Sequence, residues 1–332
     1  EPRSLRGREH GREARLRAVA ALHRDDRQHV VRISVLAGGL GGSRCVDALA
    51  RAAGPEHVTA IGNVGDDLEF WGVSISPDLD TILYTLAGLL DEERGWGVKG
   101  DTYAALDVAR QHGRETWFTL GDQDLGFHLI RTQLLQRGEP LSEVTRRLAE
   151  GLGVAVRLIP ATDDRLRTKI QTPDSELDFQ EWFVKRRHAD RVEGVRFEGA
   201  EDARPAPGVV EAIEEADVVL IAPSNPLVSI QPILAVPGIE DALRDKRVAA
   251  VSPLVGGKAL RGPLAGMMES LGHEPSAAGV RALYGDLVST FVVDRADEEL
   301  AHEIPGAVVC DTVMVAPERR AEVGRGLLEA IG

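Results

Sequence analysis

Short apolar runs recur along the chain, each closed by polar, glycine or proline residues, and helical spacing follows several of them. VRISVLAG (31–38) is the first. An unbroken β-branched run of this kind suits a strand covered on both faces, because a half-solvated strand would alternate apolar with polar. HVTAIGNVG (57–65), the run at 218–222 and VAAVSP (248–253) repeat the pattern, and two more short strands are expected within 279–297 and 304–314. Helical spacing is predicted over 45–53, 82–90 and 318–331. From residue 113 the character changes: two helices around a Gly-Glu-Pro turn, then alternating segments at 155–172 and 177–199 that read as strands of a smaller mixed sheet. The pattern predicts an α/β fold, a doubly wound, mostly parallel Rossmann-like sheet with an inserted smaller α+β subdomain. The core would be 31–112 with 205–332, and 113–204 the insertion. Residues 1–30 are Arg-rich without a sustained apolar stripe and read as a poorly ordered extension.

Composition changes this picture little. The chain has 332 residues, 43% of them hydrophobic, enough for one large or two modest domains. A net charge of −14 argues against broad nucleic-acid binding but leaves room for a local basic pocket that takes a small anion. Cys45 and Cys310 cannot build a disulfide framework and read as buried structural thiols. No apolar run is long enough to span a bilayer and no leader is evident, so the expected location is cytoplasmic, with no membrane partner.

Candidate chemistry concentrates in GNVGDDLEFWGVSISPDLDTILYTLAG (62–88), which carries Asp66, Asp67, Asp78 and Asp80 on what reads as strand end and loop. Carboxylates grouped this way offer the hard oxygen ligands of a divalent cation. Ordinary turn and cap aspartates would look the same, since Asp favours those places. Upstream, the Gly38–Arg44 turn between first strand and first helix would let backbone N–H groups approach a phosphate, although glycine here also serves tight packing. It is neither a dinucleotide fingerprint nor a P-loop. Ser224 and Asn225 close a buried strand and could hydrogen-bond a phosphate or a base edge, or form an Asx turn. Ser252, the Gly256–Gly257 pair, Lys258 and Arg261 follow another strand as a candidate diphosphate clamp. Trp96, between two glycines, could stack on a planar ring or cover a helix end. His128 and His188 have no partners at metal-ligand spacing and receive no role.

GGLGGSR, NVGDD, SPDLDTILYTLAG, RGWGVKGDT, LGDQDLGFHLIRTQLL, PATDDR, FQEWFV, APSNPLVSI, ILAVPGI and SPLVGGKALRG occur in this order. Together they resemble the 2-phospho-L-lactate transferase (CofD-like) family of coenzyme F(420) biosynthesis, in its actinobacterial-type branch, over nearly everything after residue 30. The resemblance implies a homodimeric, magnesium-dependent phosphotransferase, with the inserted segment 113–204 a sensible place for pairing. Its donor would be guanosine joined through a diphosphate to lactate or its enolpyruvyl counterpart, its acceptor the deazaflavin Fo, and its leaving group GMP. It implies Asp66 and Asp67 as catalytic, and Asp66 and Asp78, with Asp67 and Asp80, at the Mg²⁺. Asp66, Lys99, Trp96 and Thr85 would meet the deazaflavin. Gly39, Gly41, Gly42, Ser224, Asn225, Ser252, Gly257, Lys258 and Arg261 would meet the donor nucleotide.

Two other classes compete. Gluconeogenesis-factor-like proteins, which resemble nucleotide-sugar-binding regulators, share the glycine-rich start but follow the aspartate pair with Gly-Gly-Ser-Ser-Gly; here Asp67 is followed by Leu-Glu-Phe-Trp-Gly. An NAD(P)-linked oxidoreductase is disfavoured because the loop at Gly38 lacks the G-x-G-x-x-G spacing.

Overall fold

The first strand, β1 (Ile33–Ala37), is buried at every position, and its unbroken apolar run places it near the middle of the sheet. The computed structural model describes residues 31–259 and 262–332; the expected N-terminal extension and Arg261 lie outside the described residues. After β1 come β2 (Val58–Gly62), the hairpin β3 (Leu68–Phe70) and β4 (Val73–Ile75), and β5 (Arg157–Pro160). Then follow β6 (Arg167–Gln171), β7 (Glu176–Asp178), β8 (Gly194–Glu198), β9 (Val218–Ile221) and β10 (Val248–Val251). A small hairpin, β11 (Leu254–Val255) and β12 (Lys258–Ala259), precedes β13 (Thr290–Asp294) and β14 (Ala307–Cys310).

Seven of these strands form one sheet in the order β14-β13-β10-β9-β1-β2-β5, parallel at every pairing. The doubly wound expectation is borne out. Strand order reverses between β1 and β9, so the loops leaving these two strands diverge and open a crevice at their carboxyl ends. Segment 113–204 gives β5 to this sheet's edge and also builds a separate antiparallel sheet, β7-β6-β8. Among the described residues no helix is long and apolar enough to cross a membrane. Cys45 and Cys310 are buried free thiols, and burial pushes the Cys45 thiol up to about 12.

Two helix starts differ from the spacing-based expectation. The first helix runs Gly39–Ala53, so the glycines lie inside its opening turns rather than in a preceding loop. The reason is close approach. A Cβ on Gly41 would lie 2.3 Å from the Pro223 carbonyl oxygen, so a side chain there would collide with the backbone leaving β9. Ser224 Oγ closes the contact, accepting from the Gly38 N–H at 3.1 Å and donating to the Gly38 carbonyl at 2.8 Å. Gly41→Ala should therefore lower stability by about 1–3 kcal/mol through forced backbone displacement. Urea unfolding measures this, and an unchanged midpoint would mean that the two loops separate freely.

The second helix runs Pro77–Leu86, starting before the apolar stripe and ending short of Gly88, which takes a left-handed φ of 69°. Pro77 at the first helical position, after Ser76, is the sequence signal that placed the start. Asp78 and Asp80 consequently stand in a first helical turn and not in a loop. Farther on, two helices cap each other. Asp122 accepts from the Ala104 and Ala105 N–H groups at the start of helix Ala104–Gln111, while Asp101 accepts from Gln123 and Asp124 at the start of helix Asp122–Gln136.

Candidate active site

Asp66 follows β2 across a short turn, and Asp78 faces it from the first turn of helix Pro77–Leu86. Both are more than nine-tenths buried. Asn63 lies between them: its Nδ2 donates to Asp78 Oδ2 at 2.9 Å and reaches Asp66 Oδ1 at 3.5 Å. Asp78 Oδ1 accepts the Gly39 N–H at 2.6 Å, so the positive end of helix Gly39–Ala53 faces this carboxylate. Asp66 Oδ2 accepts from Gln180 Nε2 at 3.0 Å, across 114 residues of chain. Burial pushes the Asp66 carboxyl well above the usual aspartate range, and the charges of Asp78 and Asp67 push it further. Burial likewise raises Asp78, to about 6, against hydrogen bonds from Asn63 and Gly39 that favour its charged form.

Two buried carboxylates that share one amide donor repel each other, and a divalent cation would relieve that repulsion. An all-oxygen donor pair suits magnesium, which takes one or two carboxylates and completes its octahedron with water and substrate phosphate. Among the described residues no three His, Cys, Asp or Glu side chains are grouped to hold an ion, so the pair would depend on substrate oxygens for the rest.

Asp67 and Asp80 turn to other partners. Asp67 Oδ2 accepts from Ser76 Oγ at 2.9 Å, and its Oδ1 is buried without a hydrogen-bond partner. Burial raises Asp67 to about 7, against the Arg167 charge and the Ser76 bond. Both Asp80 oxygens are forked by Arg131, itself 1% exposed: Nη1 donates to Oδ2 at 2.9 Å and Nη2 to Oδ1.

The crevice widens into a cavity of about 630 Å³. Gly39, Gly41, Asp66, Asp78, Asp80, Trp96, Ser224, Asn225 and Ser252 line it, bringing together nine residues that the sequence scatters over more than two hundred positions. The other expected site residues lie elsewhere. Gly42 is packed against Ala37 and Ser224. Thr85 is buried and donates to the Thr81 carbonyl at 2.7 Å. Asp67, Lys99, Gly257 and Lys258 are absent from the lining; Lys99 and Lys258 are exposed. Gly256 and Gly257, at φ 60° and 69°, form the two-residue turn joining β11 to β12, a conformation that favours glycine at both positions. Asn225 Oδ1 accepts from the Leu227 N–H at 2.9 Å and Ser252 Oγ donates to the Leu254 carbonyl at 2.9 Å, so both polar tips also shape the turns that carry them.

The family model described as "2-phospho-L-lactate transferase CofD" matches residues 33–321. The chain belongs to the 2-phospho-L-lactate transferase CofD family. It is 44% identical to the phosphoenolpyruvate transferase of Nocardia farcinica, over 91% of this chain and 95% of that one. It is 41% identical to the phosphoenolpyruvate transferase of Thermobifida fusca, over 88% and 95%. The 2-phospho-L-lactate transferase of Methanocaldococcus jannaschii is 38% identical over 90% of this chain and 98% of its own. A crystal structure of a UPF0052 family protein from Bacillus halodurans shares the fold, with a TM-score of 0.58 at 18% identity, covering 90% of this chain and 98% of that one.

Several residues that shape the CofD-family cavity escaped the sequence reading. Asn63 sits three residues before Asp66, and a carboxamide there was a legible signal. Gln180 carried none, because only the tertiary fold brings it to Asp66. Among the described residues, Arg44 and Arg94 supply arginine side chains to the lining, Arg44 bonded to Glu92 at 2.8 Å and Arg94 to Asp91 at 2.8 Å. Arg94 also lies over the Trp96 ring, 5.2 Å from its centroid, which holds that indole beside the cavity. Phe118, Phe179 and Phe183 add aromatic faces.

Proposed function

We propose that this CofD-family transferase moves a 2-phospholactate or phosphoenolpyruvate group from a guanosine diphosphate-linked donor to the terminal ribityl hydroxyl of the deazaflavin Fo, releasing GMP, as a step of coenzyme F(420) biosynthesis. The observation that carries the reading is the buried Asp66–Asp78 pair in the wall of an aromatic-lined cavity, in a chain of this family. In the proposed reaction the ribityl oxygen forms a bond to the phosphorus that bears the three-carbon acid. The bond from that phosphorus to the oxygen bridging to GMP breaks, and GMP leaves with the bonding electrons. The hydroxyl proton passes to Asp66, whose pKa burial and neighbouring charges raise, making it a stronger base than an ordinary aspartate. Gln180 and Asn63 orient that carboxylate, and Trp96 with the phenylalanines offers flat surfaces for a tricyclic ring. Magnesium, held by Asp66 and Asp78, would neutralise charge on the transferred phosphoryl and on the departing GMP.

The test is mass spectrometry of the product formed from Fo and each candidate donor. Formation of a phosphodiester of Fo with stoichiometric GMP is expected, and its mass identifies the three-carbon acid. Unchanged Fo with every donor would sink the reading. Prolonged EDTA treatment should abolish transfer, and added magnesium should restore it; turnover that survives metal removal would exclude the role given to the cation. Pairing of two copies through segment 113–204 is supported by Leu129 and Ile130, adjacent and half exposed on helix Asp122–Gln136. Light scattering that gives a monomer mass would rule this out.

A further inference from the structure

One carboxylate in the cavity wall has no part in the chemistry above. Asp124, in the first turn of helix Asp122–Gln136, is 8% exposed and lines the cavity. Its Oδ1 accepts from the Tyr84 hydroxyl at 2.7 Å and lies 3.2 Å from His128 Nε2. His128 Nδ1 is met at 3.2 Å by Arg131 Nη1, a group that can only donate, so the ring proton belongs on Nε2, facing Asp124. Arg131 in turn forks over Asp80. The Tyr84 hydroxyl therefore fixes Asp124 through one oxygen, and the buried row Asp80–Arg131–His128 stands behind the same oxygen, with His128 Nε2 close to it but not in a well-formed hydrogen bond. Among the described residues no hydrogen bond reaches the other oxygen, Oδ2, which keeps some exposure to the cavity.

A fixed buried carboxylate with a vacant acceptor is costly unless something donates to it. Burial pushes the Asp124 carboxyl up, but bonding from His128 and Tyr84 and the Arg131 charge outweigh this and hold it below the usual range. A phosphate would be repelled there. A planar ring carrying an edge N–H or O–H fits instead, because Tyr84, Phe118, Phe179 and Phe183 line the same cavity.

We propose that Asp124 Oδ2 receives a hydrogen bond from an edge donor of the planar acceptor, which makes Asp124 a specificity-determining residue for that substrate and not for the nucleotide donor. The inference rests on the reading of Fo as acceptor. Fo offers two such donors, the ring imide N–H and the 8-hydroxyl.

Steady-state kinetics of the wild type, Asp124→Ala and Asp124→Asn, with Fo and its imide-N-methyl and 8-O-methyl analogues, tests this. A bond to a charged acceptor predicts that both variants raise the KM for Fo about 10- to 100-fold, with the donor KM unchanged. The wild type should discriminate by a similar factor against one analogue, and that analogue identifies the donor group; Asp124→Ala should lose the discrimination. A rise in donor KM alone, or wild-type enzyme that uses both analogues as well as Fo, overturns the inference. Should thermal unfolding show that neither variant folds, the wild-type arm with the two analogues still decides. Wild-type enzyme that turns over no Fo at all overturns the acceptor reading and this inference with it, whereas normal turnover of Fo and of both analogues overturns the inference alone.

Discussion

Replacing Asp66 with asparagine is expected to lower turnover by about 10²- to 10⁴-fold, the range for losing a positioned general base, and at the same time to raise the unfolding temperature of the metal-free protein. The two effects share one cause. Asp66 is buried beside Asp78, where its charge is opposed by burial and by its neighbours. A carboxylate whose folded pKa lies above its unfolded value takes up a proton more readily when folded. Its contribution to stability is therefore fully present below the unfolded pKa and is lost as pH rises through the folded one. With Asp78 raised to about 6 and Asp67 to about 7, the metal-free protein should lose stability from about pH 4, the ordinary aspartate range, up to about pH 7. Thermal unfolding in EDTA across that range, for wild type and Asp66→Asn, is the measurement. A smaller pH dependence in the variant, together with lost turnover, is the expected pair of results. Near wild-type turnover with magnesium would remove Asp66 from the chemistry.

Arg131→Met should cost about 3–5 kcal/mol, the loss seen when one member of a buried ion pair is removed and the other is left without compensation. Arg131 is buried behind the cavity wall and satisfies both Asp80 oxygens. Without it both Asp80 oxygens lose that donor, and His128 Nδ1, 3.6 Å away, is too far for a hydrogen bond to replace it. Urea unfolding of Arg131→Met, Asp80→Asn and the double variant separates the terms, because neutralising Asp80 should return part of what Arg131→Met loses. Additive losses would mean that the fork contributes nothing as a pair. The comparison matters for function as well, since the same arginine fixes His128, which stands behind Asp124.

The fold was legible in the chain because buried parallel strands leave an unmistakable run: Val35 and Leu36 in β1, Val219 and Leu220 in β9, and Val248 to Val251 in β10 are all fully buried. The candidate site was half legible. Asp66 and Asp78 stood out because acidic residues cluster there, and Trp96 because glycines flank it. Helix starts were read too late at Gly39 and Pro77, since apolar periodicity begins only where a helix meets the core, whereas the first turn is set by glycine's freedom from Cβ clashes and by proline's fixed φ.

The sequence by itself determined a doubly wound sheet, a glycine-lined first turn and a set of acidic residues close to the second strand's end. Local spacing carries such information, since strand burial, turn chemistry and caps each depend on residues a few positions apart. Only the tertiary structure decided which aspartates face one another, that Asp80 belongs to Arg131, and that Gln180 reaches Asp66 across 114 positions. Those choices depend on distances between segments far apart in the chain, and hydrogen bonding and charge act over a few ångströms whatever the separation in sequence.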